Sequence, residues 1–231
     1  MQRLSKLLLV WLLVGLLPTG SASAQSVDQP QTTDRTLIGQ LQQQTDGQLQ
    51  IERHAETGKV RFLATTPGQP IKRARTLTAS ATPEQAARSF LANYGALFGL
   101  RAQADELVAM REPAFGDRSF VRFQQRYHGV PVLGGELVVQ TDGQRNIVTA
   151  NGEALPDITV DTTPGVSAQQ AQAQARAVVA QSYTLADNQL TVGQPQLAIF
   201  NPALLGGPGL RITHLAWRVD VQSSAAGTPV R

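Results

Sequence analysis

Apolar residues fall into three regimes along the chain, and each predicts a different kind of structure. The first is an unbroken run, Leu7 to Leu17, interrupted only by Gly15. Arg3 and Lys6 precede it, Pro18 and Gly20 break it, and Ala22-Ser23-Ala24 follows as a small-x-small pattern before Gln25. Charge, apolar core and cleavage pattern in that order predict a secretory signal peptide over residues 1–24, cut after Ala24. The core is about half the roughly 20 residues that a membrane-spanning helix needs. No later stretch approaches that length. The mature chain is therefore expected to be secreted, with no membrane association after cleavage.

The second regime has helical spacing. Residues 25–33 are polar and predict disorder. Asp34 or Thr36 is then placed to cap a short helix through Leu37, Ile38 and Leu41, ending near Asp46-Gly47. A stronger signal stands at Thr82-Pro83-Glu84-Gln85, which offers an N-cap hydroxyl, a proline at the first helical position and a capping-box glutamine. Ala87, Phe90, Leu91, Tyr94, Leu97 and Phe98 follow on one face, with Gly99 as the stop. Core packing is the simplest reading of that stripe. A third helix is predicted from Ser167, with Gln170 completing its capping box and Ala171, Ala175, Val178 and Val179 as its apolar face.

The third regime alternates. Leu49 and Ile51, a turn at Glu56-Thr57-Gly58, and Val60 to Leu63 predict a hairpin. Residues 65–80 read as a connector. From Phe120 to Tyr127, Val121, Phe123, Gln125 and Tyr127 share one face, and Arg122, Gln124 and Arg126 the other. A bend at His128-Gly129-Val130-Pro131, a strand through Leu137 to Val139, a hairpin signal at Asp142-Gly143 and a strand from Asn146 to Ala150 complete a three-stranded antiparallel meander. Beyond a Pro/Thr-rich link at 154–166, strands are predicted at Gln196–Phe200 and Ile212–Val221, separated by Asn201-Pro202 and Gly206-Gly207-Pro208-Gly209. The order predicts an α+β fold of two small domains, each a helix packed on an antiparallel sheet. Their expected bounds are 25–155, including the first helix and hairpin, and 156–231. The turn-like Ser223 to Pro229 has no return strand after it. The second domain is thus expected to lack its last strand, and the chain to be part of a longer precursor.

Composition narrows the chemistry. Arg3 and Lys6 belong to the signal peptide, so the mature chain keeps 18 basic against 17 acidic side chains. That near-neutral balance, with no basic cluster interleaved with aromatics, argues against a nucleic-acid partner. The densest basic stretch, Lys72-Arg73-x-Arg75, has no aromatic neighbours in sequence. Cysteine is absent, which removes thiol catalysis, disulfides and Cys-ligated metals. There is no His-Glu-x-x-His, no Gly-x-Ser-x-Gly, no Gly-x-Gly-x-x-Gly and no P-loop. His54, His128 and His214 are far apart in sequence. The carboxylate pairs Asp105/Glu106 and Glu112/Asp117 read as solvated, and Glu136 as an exposed strand glutamate. No catalytic, cofactor-binding or metal-ligating residue is assigned.

Two stretches carry a resemblance. Ala87 to Leu100 and Val121 to Val139, the latter reading Val-Arg-Phe-Gln-Gln-Arg-Tyr-His-Gly-Val-Pro-Val-Leu-Gly-Gly-Glu-Leu-Val-Val, resemble the fungalysin/thermolysin propeptide domain. Residues 167–221 more loosely resemble the PepSY domain, with Ala216 to Val221 as its strand ahead of the last hairpin. The resemblance implies the prosegment of a secreted thermolysin-like zinc metallopeptidase, acting as intramolecular chaperone and inhibitor. It implies a cognate catalytic domain in cis as the partner, with zinc bound only there and no cofactor in this chain. The chain itself would be no enzyme. The alternative is a stand-alone exported protease inhibitor. The motif positions are Arg122, Phe123, Gln124, Gln125, Tyr127, Gly129, Pro131 and Gly134. They would either touch the partner or simply build a bent strand pair, which needs glycine and proline for its own reasons.

Overall fold

The structure, a computed structural model, describes residues 29–223 apart from 47, 79, 102–105, 112, 208 and 209. The signal peptide, the cleavage site after Ala24, Asp105, Glu112 and the chain's last turn-like stretch lie outside the described residues. The fold is α+β. Helix α1 (Gln29–Gln44) leads into β1 (Leu49–Arg53) and β2 (Val60–Thr65), and α2 (Pro83–Tyr94) continues as a 3₁₀ turn over Gly95–Phe98. Strands β3 (Leu107–Arg111), β4 (Ala114–Phe115), β5 (Arg118–Tyr127), β6 (Val130–Thr141) and β7 (Ile147–Glu153) follow. Helix α3 (Ala168–Tyr183), β8 (Leu190–Val192), β9 (Gln196–Phe200), β10 (His214–Arg218) and β11 (Val221–Ser223) complete the order.

The predicted meander of β5, β6 and β7 is the centre of a larger antiparallel layer in the order β1-β2-β7-β6-β5-β3, with β4 also on β5. Helix α2 lies across it. The capping box at Thr82 and Gln85 is formed on both sides, and Gly99 stops the turn at φ 89°, a left-handed geometry that glycine adopts without steric cost. The predicted stripe is buried: Ala87, Phe90, Leu91, Tyr94, Leu97 and Phe98 pack with Val121, Phe123, Leu137, Val139 and Ala150 in one core. Leu41 of α1 and Ile71 of the connector join that core. Ile71 exchanges backbone hydrogen bonds with Ile147, tying residues 65–80 to the sheet.

Three expectations need correction. Residues 29–33 are helical, not disordered, and Asp34 and Thr36 sit inside α1. Burial of Leu37, Ile38 and Leu41 supports a longer helix than its polar start predicted. The predicted hairpin at Asp142-Gly143 forms, joining β6 to β7, with Gly143 outside the left-handed region. Arg145 takes that region instead, at φ 66°, while the Asp142 carboxylate accepts from Gln144 and Asn146 N–H. Helix α3 has its predicted capping box at Ser167, but of the predicted stripe only Ala171 is buried, and Val178 is 61% exposed. The predicted strand Ile212–Val221 is two short strands. One, β10, pairs β9, and the other, β11, pairs β8. Strand β9 also meets β6 in parallel at Val132↔Ile199, a junction that alternation within each strand does not encode.

Candidate functional site

The motif residues gather where β5 and β6 leave each other and meet the second half of the chain. Tyr127 pairs with Val130, so His128 and Gly129 alone form the turn. Both have positive φ, 46° and 81°, which is the type I′ geometry that matches strand twist. Gly129 suits it without strain, and histidine is among the side chains that tolerate it best. His128 stacks on Tyr127 with ring centroids 4.2 Å apart.

Past the turn, Arg126 pairs with Pro131, but the next pair is Gln124 with Glu136. Between them β5 advances by Gln125 alone while β6 spends Val132, Leu133, Gly134 and Gly135. Carbonyls in such a bulge lose their ladder partners and need others. Gln124 supplies one: its Nε2 lies 2.8 Å from Val132 O and 2.9 Å from Gly135 O. Gln125 is 1% exposed, and a buried amide must be satisfied on both ends. Its Nε2 donates to Leu155 O at 2.9 Å, and its Oε1 accepts from Leu155 N–H at 2.8 Å. Leu155 packs with Val132, Ile199 and Leu204 in a second, smaller core. Gln125 thus joins the two cores with a pair of hydrogen bonds.

Side chains on the glycines of the bulge would require their neighbours to move. A Cβ on Gly134 would stand 2.5 Å from Leu205 Cδ2, and one on Gly135 would stand 2.8 Å from Gln125 Oε1. Phe123 is fully buried beneath the Arg88 guanidinium, 5.1 Å above its ring, and Tyr127 packs against the second core. Arg122 lies on the opposite face of the sheet, where its Nη1 meets Glu136 Oε2 at 2.7 Å. Glu136 thus keeps an exposed side chain, as its strand position predicted, and is ion-paired as well. Of the eight motif residues, Arg122 is the one whose charged head faces solvent over the sheet. The others build the bulge, the turn and the cores. Sequence reasoning missed their partners, Leu155, Leu205 and Arg88, because each lies far away along the chain.

The three histidines stand on different elements. His54 is buried beside the β1–β2 turn, where its Nδ1 accepts from Glu56 and Thr57 N–H, each at 3.2 Å, and its Nε2 lies 3.6 Å from Glu153. His128 is in the hairpin turn and His214 opens β10. Among the described residues no group of three or more His, Asp or Glu is placed to hold a metal ion. No described helix is long and apolar enough to cross a membrane. In the link between the halves, the Asp161 carboxyl sits below its usual range because Thr163 donates to it.

Comparison with known proteins places the motif. Residues 112–154, from the segment before β4 through β7, match the Fungalysin/Thermolysin Propeptide Motif. The chain carries that propeptide motif, whose description associates it with peptidases of the fungalysin and thermolysin type. The C-terminal domain of Bacillus megaterium YpeB is a structural relative at 13% identity, covering 87% of this chain and 89% of that one with a TM-score of 0.32. That likeness is too remote to bear on function. No curated protein matches the chain.

Proposed function

We propose that the chain is the prosegment of a secreted thermolysin-like zinc metallopeptidase, that it assists the folding of a catalytic domain in the same precursor, and that it then inhibits that domain. The observation that carries this reading is the propeptide motif over residues 112–154. Residues 1–24 act as the export signal in this reading, residues 25–155 form the propeptide domain, and residues 156–231 form a PepSY-like domain. The physics of the role is consistent with the fold. A protease domain rich in long-range contacts folds slowly, and a pre-folded sheet whose strand order, among the described residues, ends at β3 offers a template for strand addition. The exposed Val108 and Met110 on that edge, and Phe115 beside it at 84% exposure, give such a contact an apolar component.

The test is to refold the catalytic domain encoded in the same precursor with and without residues 25–231, and to assay the native peptidase in their presence. Higher recovery and inhibition at micromolar chain are expected. No gain in recovery together with no inhibition sinks the reading. A reading frame that stops without reaching a His-Glu-x-x-His domain would move the assignment to a stand-alone inhibitor acting in trans.

A further inference from the structure

The basic stretch that sequence leaves isolated is not isolated in space. Lys72, Arg73 and Arg75 border a cavity of about 410 Å³, and α2 supplies Phe90 and Tyr94 to its wall. Ile71 and Ile147 line it as well. The cavity therefore joins an apolar lining to a cationic rim. Its size lies within the range of ligand-sized pockets.

The rim charge is unbalanced. Among the described residues no Asp or Glu lines the cavity. Elsewhere Arg53, Arg61, Arg88 and Arg122 each meet a carboxylate, while Arg126, Arg145 and Arg176 donate to backbone carbonyls. Among the described residues Lys72, Arg73 and Arg75 have no carboxylate partner. Arg73 is also held in place. Its Nη1 donates to Gln144 O at 2.8 Å and its backbone N–H donates to Asn146 Oδ1 at 3.2 Å. A second feature points to an acceptor. Tyr94 is 9% exposed and its hydroxyl accepts from Gln44 Nε2 at 2.8 Å. Among the described residues the hydroxyl's own proton has no protein acceptor, although the side chain lines the cavity.

We propose that this cavity binds an acidic peptide segment that carries one apolar anchor residue. The anchor enters between Phe90, Tyr94 and Ile147, and flanking carboxylates face Lys72, Arg73 and Arg75, with Tyr94 O–H donating to one of them. A bare inorganic anion would leave the apolar lining unused. A nucleic-acid strand would need aromatic faces spaced along an open groove for successive bases, whereas Phe90 and Tyr94 lie against each other, ring centroids 5.3 Å apart, in one wall of the cavity. The inference deepens the prosegment reading by giving the chemistry of one docking point on the peptidase, and it rests on that reading only for the source of the peptide.

The probe is a fluorescein-labelled peptide EDFED titrated with the intact mature chain and followed by anisotropy. Saturable binding is expected, falling at least about 10-fold when salt rises from about 0.05 to about 0.5 M. The double variant Lys72→Glu/Arg75→Glu should weaken it at least about 10-fold, and Tyr94→Phe about 5-fold. Circular dichroism of both variants should match the parent, since both rim side chains are exposed and the phenyl ring keeps the packing. Peptides EDGED and KKFKK should not bind. Equal binding of KKFKK, indifference to the double variant, absence of saturable binding, or tighter binding of an oligothymidylate would each overturn the proposal. The refolding assay separates it from the functional reading. If the parent chain assists and the double variant assists equally, the docking point falls and the prosegment role stands. If the parent does not assist, the role falls, while the peptide titration still decides the cavity.

Discussion

The two halves of the molecule each present a helix with a complete capping box, yet only one of those helices is built into a core. Helix α2 buries Ala86, Ala87, Phe90, Leu91 and Tyr94 against the broad sheet, whereas α3 buries Ala171 and leaves Val178 and Tyr183 exposed. Strands of the first half form one continuous layer. Those of the second form two short ladders, β8 with β11 and β9 with β10. The second half is held to the first by a few specific contacts: the parallel pairing of β9 with β6 at Val132 and Ile199, the core around Ile199, and the ion pair of Arg211 with Glu56. Trp217 donates to Val166 O at 2.8 Å, so its indole closes the start of α3 rather than filling a core. The contrast teaches that capping and helical spacing set where a helix forms, while the supply of buried surface sets how firmly it is held.

That contrast can be attacked at four points. Phe123→Ala removes a ring from the centre of the larger core and should cost about 3–5 kcal/mol in chemical denaturation. A loss below about 1 kcal/mol would mean the sheet and α2 are not the stable half. Gln125→Leu keeps the volume but strands the Leu155 N–H and C=O, and should cost about 2–4 kcal/mol. Hydrogen exchange should rise at Leu155 and Ile199 and stay unchanged at Leu91; equal acceleration at all three would show the halves unfold as one. Gly134→Ala forces a left-handed side chain toward Leu205, whose far end can swing aside, so about 1–2 kcal/mol is expected. Its signature is a shift of the Leu205 methyl resonances with the α2 methyls unmoved. The smallest effect belongs to Val178→Ala, within about 0.5 kcal/mol of the parent. A large loss there would mean that α3 is covered in solution.

Alternation and capping made the first half legible. Val121, Phe123 and Gln125 share a buried face as their spacing requires, and Thr82 with Gln85 starts α2 where the capping pattern lies. What escaped was long-range. The sequence around Gln125 marks it as inward-facing but cannot say that its amide meets a backbone 30 residues away. The four-residue bulge at Val132–Gly135 breaks alternation, so nothing local reports that β6 turns there to meet β9. The same limit hid the cavity: Lys72 to Arg75 lacks aromatic neighbours in sequence because α2 provides them. The α3 stripe failed for the opposite reason. Its Ala- and Val-based spacing is correct for a helix, but the adjoining ladders offer too little surface to cover it.

The two-residue turn at His128-Gly129 also gives assembly a direction in time. A hairpin closed by such a turn requires no distant segment and zips in about 1–10 μs, so β5 and β6 can pair as soon as both have been synthesised. Gln125 must then wait for Leu155, and Val132 for Ile199, which arrive in that order from the ribosome. Folding rates of turn variants should accordingly track their stabilities, with φ-values near about 0.5–0.8 around His128 and near about 0–0.3 at Ile199. The reverse pattern would place the nucleus in the second half. With the expected one, a nascent chain holds its first ordered sheet before the later half has left the tunnel, and anything encoded further downstream would emerge beside a surface already formed.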